Sequence, residues 1–228
     1  MDNSPLREKI LAAIISKSTL KQHVFDNTFA VFNELKEVLF EIASEMDDEL
    51  DGKLDKRVRI EYRDRGKFEA QLQIASDLLL FRMHTDVFEF DSDHIIWQNE
   101  YVRGDRDNSY CGVVDIYNFL SDSFKFNRNA DEGYLIGRIF INRECSFFVE
   151  GKRQTAARAA DFGRDRITRE RLIAIMETAM NYAINFDLLV PPYECNKRVT
   201  VDQFNTKMDN SKFTTGKRLG YDFNVDDI

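Results

Sequence analysis

Six arginines, Arg153, Arg158, Arg164, Arg166, Arg169 and Arg171, crowd into one connection of the chain. Guanidinium forks grip phosphate or carboxylate through paired hydrogen bonds. Ile167-Thr168 looks like an apolar staple followed by an N-cap, so Arg164, Arg166, Arg169 and Arg171 bracket a helix start. Unpaired backbone N–H groups at such a start also favour anions. Ala156, Ala157, Ala159 and Ala160 would let the connection lie close to a ligand. Arg153, Arg158, Arg164, Arg166 and Arg169 are therefore the expected contacts for a small anion. The alternative is a solvated loop, or arginines paired with an acidic helix, within the chain or across a dimer. No GxxxxGK[ST] or GxGxxG stretch occurs, so nothing is dedicated to nucleoside triphosphates or dinucleotides.

A second constellation is Glu150-Gly151-Lys152, an ExK triplet at a strand end. In a hairpin over 134–150, Asp131 and Glu132 at the open end would approach Glu150. Two carboxylates could then hold Mg²⁺ while Lys152 steadies an attacking water. The pattern resembles the D…ExK signature of restriction-endonuclease-like nucleases. That resemblance implies metal-dependent phosphodiester cleavage, with Asp131, Glu132, Glu150 and Lys152 as the catalytic set. The chain departs from the family in the Gly at the middle position, in an acid that precedes its strand, and in its run of antiparallel strands.

Other reactive residues are scattered. His23, His84 and His94 do not form a ligand set by spacing, and no GxSxG elbow is present. Cys111, Cys145 and Cys195 stand far apart without a CxxC pair, which points to free thiols in a reducing compartment. Neither a metal nor a cofactor is expected. Asp115 is an acid in the otherwise apolar run Gly112 to Tyr117. If buried it needs a partner; an outward or edge position is the alternative.

The elements that must position these residues begin with helices. Ser4-Pro5 opens one, with Leu6, Ile10, Ile14 and Leu11, Ile15 at i, i+4 spacing. A second is expected from about Phe25 to Leu50, where Phe32, Leu35, Leu39, Ile42 and Met46 make a short heptad seam. Asp51-Gly52 ends it. The period then becomes two: Val58, Ile60 and Tyr62 alternate with arginines and Glu61, and Phe68 to Ile74 answers across a turn at Arg65-Gly66. Strands follow at 78–83, 87–90, 95–102, 110–118, 134–142 and 146–150. The fold class is therefore α+β: two N-terminal helices, a 7–8-stranded antiparallel meander, and a buried helix over 168–189 packed across it. Residues 1–192 read as one domain, 1–52 helical and 57–150 sheet, and 193–228 as a loosely packed tail with few apolar anchors. Nineteen Phe, eight Tyr and Trp97 fit a bulky core, or an apolar cup beneath helix 168–189.

Charge narrows the function. Thirty-two Lys+Arg against forty Asp+Glu leave 228 residues at −8, which argues against a nucleic-acid partner. Residues 26–55 are strongly acidic, while 150–171 and 195–218 are basic. With no long apolar run, a cytoplasmic protein without a membrane anchor is expected. The reading is a non-catalytic binding or assembly domain, a homodimer or bound to another protein, with an Arg-rich anion contact. The alternatives are a ligand cup and the metal-dependent phosphodiesterase.

Overall fold

A computed structural model of the chain describes residues 5–53, 55, 58–129, 131–151, 161–186, 197, 198, 200 and 201. Helix α1 (Pro5–Leu50) leads into strands β1 (Ile60–Asp64), β2 (Glu69–Ile74) and β3 (Asp77–Met83). After α2 (Glu100–Gly104) come β4 (Cys111–Leu120), α3 (Ser121–Lys125), β5 (Tyr134–Asn142), β6 (Phe147–Gly151) and α4 (Arg169–Ile184). The six strands pair antiparallel in sequence order, an uninterrupted meander.

Two expectations change here. The two N-terminal helices are one, of 46 residues. Residues 16–24 have only Leu20 and Val24 as apolar positions, one turn apart, but they lack Gly and Pro, so nothing stops a helix already nucleated on either side. Thr28 Oγ1 donates to Val24 O at 2.7 Å, which keeps its hydroxyl from competing with the helix backbone. The sheet has six strands instead of seven or eight, because 87–90 and 95–102 do not join it. Phe88 makes a single bridge to Cys111, and Ile95–Gln98 is a 3₁₀ turn. Three side-chain caps explain the change: His94 Nδ1 accepts from Ile96 N, Asn99 Oδ1 from Tyr101 N and Asp105 Oδ1 from Asp107 N. Successive caps wind an apolar run that alternation alone would read as a strand.

The hairpin turn at Arg65-Gly66 is as expected, with Gly66 at φ 111° and Tyr62 opposite Leu72. Core packing is one-sided. From α1, Phe32, Leu35 and Leu39 are fully buried, and from α4 so are Leu172, Met176 and Ala179. Both helices sit on the face that carries Leu72, Leu79, Phe81, Ile116, Ile139 and Phe147. Each such side chain contributes roughly 1.5–3 kcal/mol through burial. The heptad seam of α1 is therefore spent on the chain's own sheet. Helix α4 is shorter than 168–189: it ends at Ile184, which is 55% exposed, while residues 187–189 lie outside the described residues.

Helix and sheet meet closely at Gly112. A Cβ there would lie 2.1 Å from Thr28 Oγ1, so only glycine fits. Nearby, Asn27 Nδ2 donates to Arg143 O at 2.6 Å. On the opposite face, Phe140 and Phe148 stack at 4.7 Å under Phe90, Trp97, Tyr101 and Phe162, which cap one end of the sheet. The rest of that face carries no long helix among the described residues. Among them, too, no helix is long and apolar enough to cross a membrane.

Candidate binding surface

The helix-free face is built by alternation, each strand contributing every second residue. One row crosses five strands in register: Glu69, Arg82, Asp115, Arg138 and Glu150. Signs alternate along it, the favourable arrangement for directly opposed residues. Arg82 Nε lies 3.9 Å from Glu69, and Arg138 pairs with Glu150. Asp115 stands in the middle and its side chain is only 7% exposed. Its partner is His84, whose Nε2 is 2.8 Å from Asp115 Oδ2, and Tyr117 O–H donates to the same oxygen at 3.4 Å. Burial, then the Asp115 charge, pushes the Tyr117 phenol above its ordinary value. Asp115→Ala should cost about 1–3 kcal/mol, because two polar neighbours lose their shared acceptor. Urea melts of the two proteins check this, and coincident curves would rule the acceptor role out.

The second feature is a groove of about 790 Å³ at the β1–β2 end, open to solvent. Arg59, Arg63, Arg65 and Lys125 line it, with Gln71, Gln73, Leu78 and Phe124. Glu61 is its single acid among the described residues. Arg63 is held by Glu61 through two hydrogen bonds, of 2.9 and 3.0 Å, which keep that carboxyl below its ordinary value. Arg65 donates to Gln71 Oε1 at 2.8 Å and lies 5.5 Å from the Phe124 ring centre. Among the described residues, neither Arg59 nor Lys125 has a carboxylate within ion-pair distance. Two engaged arginines are thus pre-oriented beside Arg59, which acts on Glu61 through its charge alone, and Lys125, whose Nζ lies 5.1 Å from the Phe126 ring centre.

The Arg-rich connection is disposed differently. Arg164 lies 3.4 Å from Asp161 with its side chain 85% exposed. Arg166 pairs with Glu144 at 2.8 Å and Arg171 with Asp165 at 3.6 Å. Arg169, at the start of α4, reaches Glu37 and Glu41 of α1. Each described arginine of the cluster therefore has an acid of its own chain. Arg153 and Arg158 lie outside the described residues, as does Lys152.

Of the ExK constellation, Lys152 lies outside the described residues, and the described carboxylates have the following surroundings. Glu150 is engaged by Arg138. Asp131 is fully buried beside α3, with Arg128 Nε at 2.8 Å from its Oδ2 and Ser123 Oγ donating to it at 2.5 Å. Glu132 is exposed. Among the described residues no group of three His, Cys, Asp or Glu side chains could hold a metal ion. Burial pushes the Cys111 thiol far above its ordinary value, so it is no nucleophile.

Sequence reasoning placed Arg59, Glu61 and Arg63 on a wet strand face but did not join them to Lys125. The signal is partly there: Arg59 and Arg63 share parity, and across the hairpin Gln71 stands opposite Arg63 and Gln73 opposite Glu61. Lys125 could be added only by the fold, since α3 follows β4. Comparison of the chain with protein-family models, with curated proteins and with solved structures finds no match.

Proposed function

We propose that this chain is a non-catalytic binding domain that holds an anionic ligand on the sheet face opposite α1 and α4. The carrying observation is the β1–β2 groove, where Arg59 and Lys125, neither within ion-pair distance of a described carboxylate, stand beside Arg63 and Arg65 in a chain of net charge −8. Its volume suits a ligand of nucleotide size, and Phe124 and Leu78 offer an apolar wall. Phosphate or carboxylate oxygens match the arginine forks. The Arg-rich connection is the weaker anion contact, because its described arginines are already balanced. The cup beneath α4 has less support, because Leu172, Ile175, Met176, Ala179, Met180 and Ala183 pack into the core.

The test is calorimetric titration with pyrophosphate and with ATP. Binding should weaken as salt rises. Arg59→Gln with Lys125→Gln should lower affinity at least about tenfold, equivalent to about 1.4 kcal/mol. Arg164→Gln with Arg166→Gln should leave it unchanged. Loss in the second variant and not the first would move the site to the connection, and no binding of either probe by the parent would overturn the proposal.

A further inference from the structure

Helix α1, with 46 residues, is about 69 Å long at 1.5 Å per residue. Every residue from 5 to 19 is exposed, and burial begins at Leu20. This stretch projects beyond the sheet as an arm. Ile10, Leu11, Ile14 and Ile15 are 46–67% exposed on it. Single exposed apolar residues are ordinary, but four large ones within six residues form a patch that calls for cover.

Charge says what covers it. Between residues 5 and 21 the helix has Arg7, Lys9, Lys17 and Lys21 against Glu8. Its other end has Glu34, Glu37, Glu41, Glu45, Asp47, Asp48 and Glu49 against Lys36. One rod is therefore basic at its head and acidic at its tail. The acidic half also exposes one large apolar side chain, Phe40, at 60%. At 3.6 residues per turn, Leu11, Ile15 and Phe40 fall within an arc of about 40°. That arc points away from Leu35 and Leu39, which face the chain's own sheet.

We propose that α1 pairs antiparallel with the α1 of a second copy of this chain, Leu11 and Ile15 of each packing on Phe40 of the other. With Ile15 opposite Phe40, Leu11 lies across from Ser44 and Arg7 from Asp48. Ser44 is exposed and small, so it leaves room for the Leu11 side chain beside Phe40. Every such contact occurs twice about a two-fold axis, so the assembly closes as a dimer. Glu34, Glu37 and Glu41 meet the charge of Arg169 in their own copy, which leaves Glu45 and Asp48 to the partner's arm.

Light scattering at micromolar concentration and low salt should give about 53 kDa, twice the 26.7 kDa chain. High salt should shift the mass towards the single chain. Ile15→Glu should give the single-chain mass at low salt and, at high salt where parent and variant are both single chains, the parent's melting temperature, since Ile15 touches no core. The register is read with a short bis-maleimide, Cys145 and Cys195 being replaced by Ser throughout. A chain carrying Ile15→Cys should cross-link to one carrying Phe40→Cys, and neither to itself. A 26.7 kDa species for the parent at low salt, a dimer that survives Ile15→Glu, or self-cross-linking of the Ile15→Cys chain would each overturn the proposal.

Discussion

Replacing Asp131 with alanine should destabilise the fold by about 3–5 kcal/mol, the cost of stranding one member of a buried ion pair. The Asp131 side chain is fully buried and that of Arg128 is 10% exposed. Arg128 Nε lies 2.8 Å from Asp131 Oδ2, yet its N–H does not point along that line. The contact is thus ionic more than a directed hydrogen bond, and Ser123 Oγ supplies the directed one. Without the carboxylate, Arg128 keeps a charge that its surroundings cannot solvate. Asp131→Asn should cost less, because the Ser123 hydroxyl retains an acceptor. The midpoint of guanidinium unfolding measures both. The result also separates two roles for this residue. A carboxylate serving Mg²⁺ would sit strained in the apo protein, so its removal would be neutral or stabilising, and Mg²⁺ would raise the melting point of the parent. A loss below about 1 kcal/mol for Asp131→Ala, far under the cost of a stranded charge, would sink the structural role.

That contrast shows what can be read from the residues and what cannot. The hairpin β1–β2, the pairing of β5 with β6 and the Thr168 cap are legible, because each is a local matter of period, turn residue or cap. The class, helices with an antiparallel sheet, follows from the sum of such signals. Periodicity misreads the region 87–105 because its apolar spacing suits a strand, while His94, Asn99 and Asp105 decide the outcome through backbone N–H groups two residues on. Burial of Asp115 can be suspected from its strand, but its partner His84 lies 31 residues away and only the β3–β4 register joins them.

The arginines carry the same lesson further. Density along the chain picks out 153–171, where each described cation turns out to face an acid from β5–β6, the same connection or α1. The sparser Arg59 counts for more because no described carboxylate lies within ion-pair distance of it, and β2 sets Gln71, not a carboxylate, opposite Arg63. Availability of charge is decided by the neighbouring strand, and a linear count cannot see it. The acidic half of α1 shows the converse. Its excess is partly consumed by Arg169, which reaches Glu37 and Glu41.

Gly112→Val should be as damaging as the loss of Asp131, for a steric reason. The added Cβ would fall 2.1 Å from Thr28 Oγ1 and 2.8 Å from Thr28 Cβ and Cγ2. Thr28 is fully buried and its hydroxyl is tied to Val24 O, so the side chain cannot turn aside. The helix must lift, and lifting it opens the packing of Val24, Val31 and Phe32. Overpacking of a filled core costs about 1–3 kcal/mol, and valine at a position that rejects even a methyl belongs at the upper end. A double-mutant cycle isolates the cause. Thr28→Ala removes Oγ1 and Cγ2, so Gly112→Ala should be less harmful beside it than in the parent, with a coupling of about 1 kcal/mol or more. Additive losses would mean that the strand backbone, not Thr28, excludes the side chain. A lift at Thr28 also swings the exposed arm that precedes Leu20 on the same helix. Gly112→Ala should therefore weaken the dimer more than its loss of stability explains, and Thr28→Ala should recover mass and melting point together but in part, since Thr28 Cβ, 2.8 Å from the added methyl, remains.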